Sequence, residues 1–467
     1  MTKVVSDDFL VEADKSAWPL LPAERNWGGW RLGISLATAA AATWCYIIGE
    51  YVGYYLGFWK GFATLFAGSM IGMLIVALAA VPVCIRFGVD SIASAKPQFG
   101  TAGWIIPAVL QFISIVGWNS LLLIFFGRST TQLFYALGWI SEGSGAVLVP
   151  ITVLIAVSLT FFFLLKGSAG VDRVAKVLVA HVFVGFWMLY VLLTHEWDKL
   201  NSALPAYANA DSQWNYVTGI EIGIVSLLSW WPYIGAMVRM APNGRTAALP
   251  IMLGMGMPVP LLCAIGIAGI LVLQVSDPAQ WLRTIGGPVY GVVALVFVAA
   301  ANLGTAVAGV YASSIGLRHI PILSRSPWPV LLVISLAPVA VVGLTIPEMF
   351  FANFGTFLAF IGLGFAPLCG IQIVDYYFIR RGRVTVRGLF ETGPNAAYRY
   401  WGGFNPAAII AMVGGFVTYN YILNPITYQS RFPYEYLTAS LPTAIVSGGV
   451  YWLLTVFFVR PAGKGGY

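Results

Sequence analysis

The sequence predicts an all-α integral membrane protein of about twelve transmembrane helices. It is 59% hydrophobic and 9% charged, with a mean hydropathy of +0.83, and a water-soluble domain could not bury that much apolar surface. The apolar residues form continuous rather than alternating runs, which excludes a transmembrane β-barrel. Nine uncharged runs each reach the roughly 20 residues that a helix needs to cross a bilayer: 61–85, 97–127, 143–165, 246–276, 284–317, 326–347, 349–374, 400–430 and 436–459.

Three further spans carry isolated ionisable groups: about 31–58 with Glu50, 177–195 with His181, and 216–238 with Glu221. A carboxylate within a bilayer is costly unless it is paired, protonated or hydrated. Glu50 is therefore a candidate functional residue, and the alternative is a side chain that reaches the outer headgroups near Lys60. Glu221 lies near the outer end of its span, where we expect an interfacial carboxylate.

The formal net charge of +7 follows from membrane orientation and does not indicate nucleic-acid binding. If the N-terminus is cytoplasmic, the tail, the even-numbered loops and the C-terminus hold twenty of the 25 lysines and arginines. Because positive charge is retained on the cytoplasmic side, the sequence predicts a multi-pass protein of the cell inner membrane with both termini cytoplasmic. The odd-numbered loops hold only Lys60, Arg128, Lys199, Arg283 and Arg431.

The chain divides into three parts. Residues 1–25 mix charges with few apolar groups and are predicted to form a cytoplasmic tail. Two polar, interrupted spans stand five apart, at positions one and six, which is typical of a five-plus-five inverted repeat. The sequence therefore predicts a ten-helix transport core over 26–400, followed over 401–467 by two appended helices and a cytoplasmic C-terminus.

A proline and two tryptophans interrupt the sixth span, at Ser229-Trp230-Trp231-Pro232. Proline removes a backbone donor and clashes with the preceding turn, so the helix is expected to bend or unwind there. Inside a bilayer such a break is tolerated where protein or a water-filled cavity satisfies the freed backbone groups. Discontinuous helices of this kind form the midplane sites of many secondary transporters. Ser229 and Trp230 are therefore candidate binding residues; a simple kink with interfacial tryptophans is the alternative.

The third span places Trp118 between Gly117 and Asn119, far from either interface. Interfacial anchoring explains such a tryptophan poorly, whereas a flat indole is a natural platform for stacking a planar ring. Ile115 lies on the same helical stripe as Trp118. Ordinary core packing is the alternative interpretation of this stripe.

The eighth span carries polar groups in an otherwise apolar helix. Asn302 and Thr305 supply side-chain oxygens, and Gly304 leaves backbone carbonyls accessible. Hard cations prefer oxygen ligands of this kind. Alternatively, the hydroxyl only bonds back to its own helix.

Five segments, spread in order over nearly the whole chain, together resemble the nucleobase:cation symport family. That family includes cytosine permeases, hydantoin and allantoin transporters and hydroxymethylpyrimidine permeases. The segments are Phe99-Gly100, Gly117-Trp118, Ser229-Trp230-Trp231-Pro232 through Arg239, Val310-Tyr311-Ala312-Ser313, and Pro367 through Asp375-Tyr376-Tyr377 to Arg380-Arg381-Gly382.

The resemblance implies a heterocycle held between Trp118 and the unwound part of the sixth span. In the family, the positions of Ser226 and Leu227 also face the ligand, and a glutamine stands at the position of Ile115. With the residues singled out above, the predicted substrate-binding set is Trp118, Ile115, Asn119, Ser226, Leu227, Ser229, Trp230 and Glu50. The resemblance also implies a possible sodium site at Ser35, Ala39, Ala301, Gly304 and Thr305.

We therefore predict a secondary symporter that imports a small planar N-heterocycle by alternating access, with the substrate, the lipid bilayer and a coupling cation as its partners. The sequence contains no nucleotide-binding motif and no cluster of His, Cys and carboxylate residues, so we do not expect an enzyme. We expect no cofactor apart from a possible sodium ion, no nucleic acid and no obligate protein partner. The alternatives are a hydroxymethylpyrimidine or vitamin-precursor permease of the same fold, and an uncoupled channel or facilitator.

The coupling ion is either H⁺ or Na⁺, and we favour H⁺. Burial disfavours the charged form of a carboxyl group, so Glu50 is suited to load and release a proton. The implied sodium site has glycine at position 304, where a hydroxyl residue is common in the family, and therefore has one oxygen ligand fewer.

Overall fold

The structure, a computed structural model, describes residues 18–40, 42–141, 143–165, 183–320 and 322–467. Most of this part of the chain is helical. The main helices are α1 Gly29–Ala40, α2 Trp44–Gly53, α3 Phe58–Ala79, α4 Ile105–Ala136, α5 Gly145–Leu164, α6 Phe183–His195, α7 Ser212–Leu228, α8 Trp231–Val238, α9 Gly244–Leu273, α10 Pro278–Leu317, α11 Trp328–Thr345, α12 Phe354–Ile379, α13 Pro406–Ile422 and α14 Ser440–Val459.

The all-helical membrane architecture is confirmed. Within the described ranges, eight helices are long and apolar enough to cross a membrane, and the number rises to ten if each of two bent pairs is one span. The fifth and eleventh predicted spans coincide with the shorter apolar helices α6 and α13. The count of twelve therefore stays a prediction. His181, and most of the cytoplasmic tail predicted over 1–25, lie outside the described residues.

Two of the spans are broken. Helices α1 and α2 meet at 62°, and α7 and α8 meet at 47°. The second break lies at Ser229 and Trp230, directly before Pro232, which occupies the first turn of α8. A missing N–H is harmless in a first turn, so the proline ends one helix and begins the next, as the sequence predicts.

The packing of the broken spans follows a twofold pattern. Helix α3 packs along α7, and in the same way α9 packs along α2. Helices α2 and α3 belong to spans one and two, and α7 and α9 belong to spans six and seven. The two contacts are therefore equivalent if spans six to ten repeat the arrangement of spans one to five. The α2–α9 contact brings backbone against backbone, because a Cβ on Gly49 would lie 1.9 Å from the carbonyl oxygen of Cys263. The breaks consequently lie at the centre of the molecule, beside the packed pair α4 and α10.

Glu221 is not an interfacial carboxylate, and that expectation is wrong. The residue is only 3% exposed. Its carboxylate accepts hydrogen bonds from the Tyr419 hydroxyl at 3.0 Å, from the Ser440 hydroxyl at 2.7 Å, and from the backbone N–H groups of Ala439 and Ser440. These donors belong to α13 and to the N-terminal end of α14, which the sequence does not place beside the sixth span. Glu221 therefore joins α7 to α13 and to the start of α14.

At the other end of the bundle, a buried ion pair fixes the end of α12. Arg380 Nε lies 2.7 Å from Asp375 Oδ2, and both side chains are buried. Gln98 donates to the same carboxylate at 2.8 Å, and Arg380 also donates to the Pro97 carbonyl at 3.0 Å. The pair thus ties α12 to the short helix Ser91–Phe99 that precedes α4.

Candidate functional site

A cavity of about 600 Å³ lies where the two broken spans meet α4 and α10. Its wall comes from α1, the first residue of α2, the middle of α4, the turn between α7 and α8, α8 itself and the second half of α10. Among the described residues, none that lines the cavity is Asp, Glu, Lys, Arg or His. Such a wall suits a neutral, largely apolar ligand.

Three indoles converge on this cavity. The Trp44 ring lies 5.3 Å from that of Trp118, at an interplanar angle of 70°, and 6.0 Å from that of Trp230, at 46°. Trp118 also packs edge-on against Phe354, at 5.2 Å. Aromatic faces at these separations provide stacking surfaces for a flat ring. Trp44 was not among the predicted binding residues, although its position beside a helix break is the signal that singled out Trp230.

Four of the predicted substrate-binding residues line the cavity: Trp118, Asn119, Ser229 and Trp230. The Trp118 Nε1 atom is buried and has no hydrogen-bond partner. The Ser229 hydroxyl donates to the carbonyl of Ser226, which closes the last turn before the break. The structure thus brings together the third-span and sixth-span residues on which the sequence prediction depended.

The other four predicted substrate-binding residues do not line the cavity. Ile115 is 1% exposed, and Ser226 and Leu227 are fully buried. The Ser226 hydroxyl donates to the carbonyl of Ile222 at 2.6 Å, within its own helix. Residues three apart share a helix face, but the neighbouring helices decide how much of that face is covered. Sequence spacing therefore placed these residues close to the site but not in its wall. Glu50 is the fourth.

Glu50 lies off the cavity and is only 2% exposed, so it does not extend to the headgroups. One carboxylate oxygen accepts a hydrogen bond from the Tyr54 hydroxyl at 2.6 Å, and the other is buried without a partner. The Tyr54 hydroxyl also contacts the Ser276 hydroxyl, in the loop before α10. Glu50 therefore belongs to a polar cluster at one end of the bundle.

Charged residues close this end of the bundle. Arg128, in the last third of α4, lies 3.6 Å from Asp277 and is ion-paired with Glu348. Burial raises the pKa of the Asp277 carboxyl, and the Arg128 guanidinium acts in the opposite direction. Together with Glu50 and Tyr54, these side chains join the broken first span to the loops before α10 and α12.

The cavity reaches the surface at the opposite end. Its wall there includes Ile34 of α1, which is 47% exposed, and Ala236 of α8, which is also exposed. Trp27 and Met237 complete this part of the wall. The site is therefore open at the end near residue 27 and closed at the end that contains Arg128.

Of the possible sodium ligands, Ser35, Ala39 and Thr305 line the cavity, whereas Ala301 and Gly304 do not. A helix leaves its last carbonyls without partners of its own, and such neutral oxygens suit a hard cation. In α1, the last of these carbonyls, that of Ala40, accepts from the Ala42 N–H and from the Cys45 thiol. The Ala301 carbonyl already accepts a hydrogen bond from the Thr305 hydroxyl, at 3.0 Å. Of the five predicted ligands, the cavity wall therefore holds two hydroxyl residues, Ser35 on α1 and Thr305 on α10.

Known proteins resemble this chain over most of its length. A hydantoin permease from Microbacterium maritypicum is 22% identical over 381 residues, which cover 72% of this chain and 70% of the relative. The inward-facing conformation of Mhp1 superposes with a TM-score of 0.77 at 19% identity, over 95% of this chain and 94% of Mhp1. Mhp1 in a closed conformation with bromovinylhydantoin bound gives a TM-score of 0.72, also at 19% identity, over 97% and 98%.

The predicted resemblance to nucleobase:cation symporters is confirmed by a family model that matches most of the chain, and Mhp1 is a transporter of the nucleobase-cation-symport-1 family. Residues 19–430 match the family model described as permease for cytosine/purines, uracil, thiamine and allantoin. These relatives are transporters and not enzymes. This chain, too, belongs to that permease family and is a multi-pass membrane transporter with its fold.

Proposed function

We propose that this protein is a secondary active symporter that imports a small planar N-heterocycle across the cell inner membrane. The observation that carries the proposal is the convergence of Trp44, Trp118 and Trp230 on a cavity without charged side chains in its described wall. Indole faces stack on flat rings, and a wall without charge favours neutral ligands. The family match and the hydantoin permease relative support the same substrate class.

Alternating access follows from the two different ends of the site. If both termini are cytoplasmic, as the distribution of basic residues predicts, the open end near Trp27 faces the cytoplasm and the end closed by Arg128 faces outside. The described arrangement is then the one that releases substrate inward. Outward opening requires the contacts of Arg128 with Asp277 and Glu348 to separate.

We further propose H⁺ as the coupling ion, with Na⁺ as the alternative. Support for H⁺ comes from Glu50, which is buried in the closed end with one oxygen unpartnered. A proton on this carboxyl removes the cost of burying its charge. Support for Na⁺ comes from the oxygens at Ser35, Ala39 and Thr305, which share the cavity with the indoles.

Uptake into proteoliposomes tests the function. Labelled hydantoin, cytosine, uracil, hypoxanthine and hydroxymethylpyrimidine are supplied with an imposed pH gradient, with and without sodium. We expect one of these compounds to accumulate above its external concentration and to leak out when an ionophore collapses the gradient. Preferential uptake of hydroxymethylpyrimidine would favour the vitamin-precursor alternative. Downhill flux alone would show an uncoupled facilitator.

A further inference from the structure

Asn119 is a buried amide without a partner. It follows Trp118 on α4, is 1% exposed and lines the cavity. Among the described residues, none forms a hydrogen bond with its carboxamide. Because the carboxamide forms part of the cavity wall, its donors and its acceptor are available to a ligand in the cavity.

A glycine on α10 makes room for this amide. A Cβ at position 309 would lie 2.4 Å from Asn119 Oδ1 and 3.2 Å from its Nδ2. Because real side chains do not approach so closely, any larger residue at position 309 would push the carboxamide aside. Gly309 also lines the cavity. The amide is therefore seated against the bare backbone of α10, next to the Trp118 indole.

The Trp118 N–H adds a second unsatisfied group. Its Nε1 is buried without an acceptor, and an indole nitrogen is a donor only. A carboxamide supplies both donors and an acceptor. A ring edge that places an N–H donor beside an acceptor satisfies the carboxamide.

We propose that Asn119, which lies against Gly309, determines substrate specificity. Its carboxamide forms hydrogen bonds with a donor and an adjacent acceptor on the edge of the heterocycle. This inference rests on the proposed function and deepens it, because it assigns the polar contact that selects among flat neutral rings. A site built to hydrogen-bond a polar group discriminates strongly against analogues that lack the group, since its own buried atoms are then left unpaired.

N-methylated ligands test the inference. Hydantoin and uracil are compared with their N-methyl derivatives by calorimetric titration of the purified, full-length transporter. We expect the wild type to bind a parent ring about tenfold more tightly than the analogue methylated at the recognised N–H. Asn119→Leu, of similar size, should bind parent and analogue alike, with parent affinity reduced about tenfold. Gly309→Ala should shift affinity in the same direction because it displaces the amide.

Ser120→Ala is the matched control, since Ser120 is equally buried on α4 but does not line the cavity. It should leave the preference for the parent ring intact. If Asn119→Leu does not fold, Asn119→Ala removes the amide without adding bulk. If the Asn119 variant binds the ligands and still prefers the parent ring over the methylated analogue, this inference is wrong and the proposed function is unaffected. Failure of every ring to bind the wild type overturns the proposed function together with the inference.

Discussion

Trp230 and Trp231 are adjacent in the chain but belong to different surroundings. Trp230 lines the cavity, 6.0 Å from the Trp44 ring, whereas Trp231 is fully buried and donates from Nε1 to the Gln372 side chain at 2.7 Å. Successive residues on a helix point about 100° apart. Trp230 therefore belongs to the wall of the candidate site, and Trp231 belongs to the packed core.

Trp230→Ala should weaken substrate binding about tenfold, because it removes a stacking face together with its buried area. The measurement is KM for uptake and Kd for binding. Trp231→Phe is the matched control: it should lower the unfolding temperature through the lost bond to Gln372 and leave KM unchanged. Equal KM values for Trp230→Ala and the wild type would contradict the role of Trp230.

Trp118→Ala should abolish saturable uptake while the protein remains in the membrane. The indole contributes stacking worth about 0.5–1.5 kcal/mol beyond the buried area, and Trp118→Phe should retain partial uptake because it keeps an aromatic face. Uptake kinetics at matched expression are the measurement. Trp139→Ala, at a residue 69% exposed, is the control. A Trp118→Ala transporter with unchanged KM would show that the indole only packs.

Glu50→Gln should lose accumulation against a gradient but keep substrate binding and exchange. The amide is isosteric and cannot carry a proton, and the carboxyl lies outside the cavity wall. Uptake under a fixed pH gradient and counterflow exchange are compared, with Asp198→Asn as control, since Asp198 is an exposed carboxylate in the short helix Trp197–Ser202. Accumulation that survives in Glu50→Gln would exclude this residue as the proton carrier.

Thr305→Ala should have little effect on uptake if protons drive transport. Its hydroxyl bonds back to the Ala301 carbonyl, and only a sodium site would require the oxygen. Uptake is measured across a sodium titration at constant pH. Strict sodium dependence that disappears in Thr305→Ala, together with a fully active Glu50→Gln, would establish sodium coupling instead.

Glu221→Ala should destabilise the protein by about 3 kcal/mol, because four donors in α13, α14 and the residue before α14 lose a charged acceptor. Thermal unfolding in detergent is the measurement. Glu24→Gln, an exposed carboxylate near the start of the described chain, should have almost no effect. An unchanged unfolding temperature in Glu221→Ala would mean that this junction adds no stability.

The sequence by itself determined the class of the protein, the break in its sixth span and its family. Apolar runs, a proline and ordered short motifs are local properties, so they need no knowledge of which helices touch. The ion pair of Asp375 and Arg380 is local as well, since its partners lie five residues apart at the end of one helix.

Only the tertiary structure decided which side chains share the cavity. Trp44, the first residue of α2 after the break in the first span, contacts the rings of Trp118 and Trp230, whereas Ser226 and Leu227 are fully buried. Glu221 became a structural junction because α14 begins beside it, more than two hundred residues later. Contacts of this kind depend on how helices rotate and cross when they pack, and helical spacing within one segment carries no information about the partner that covers each face.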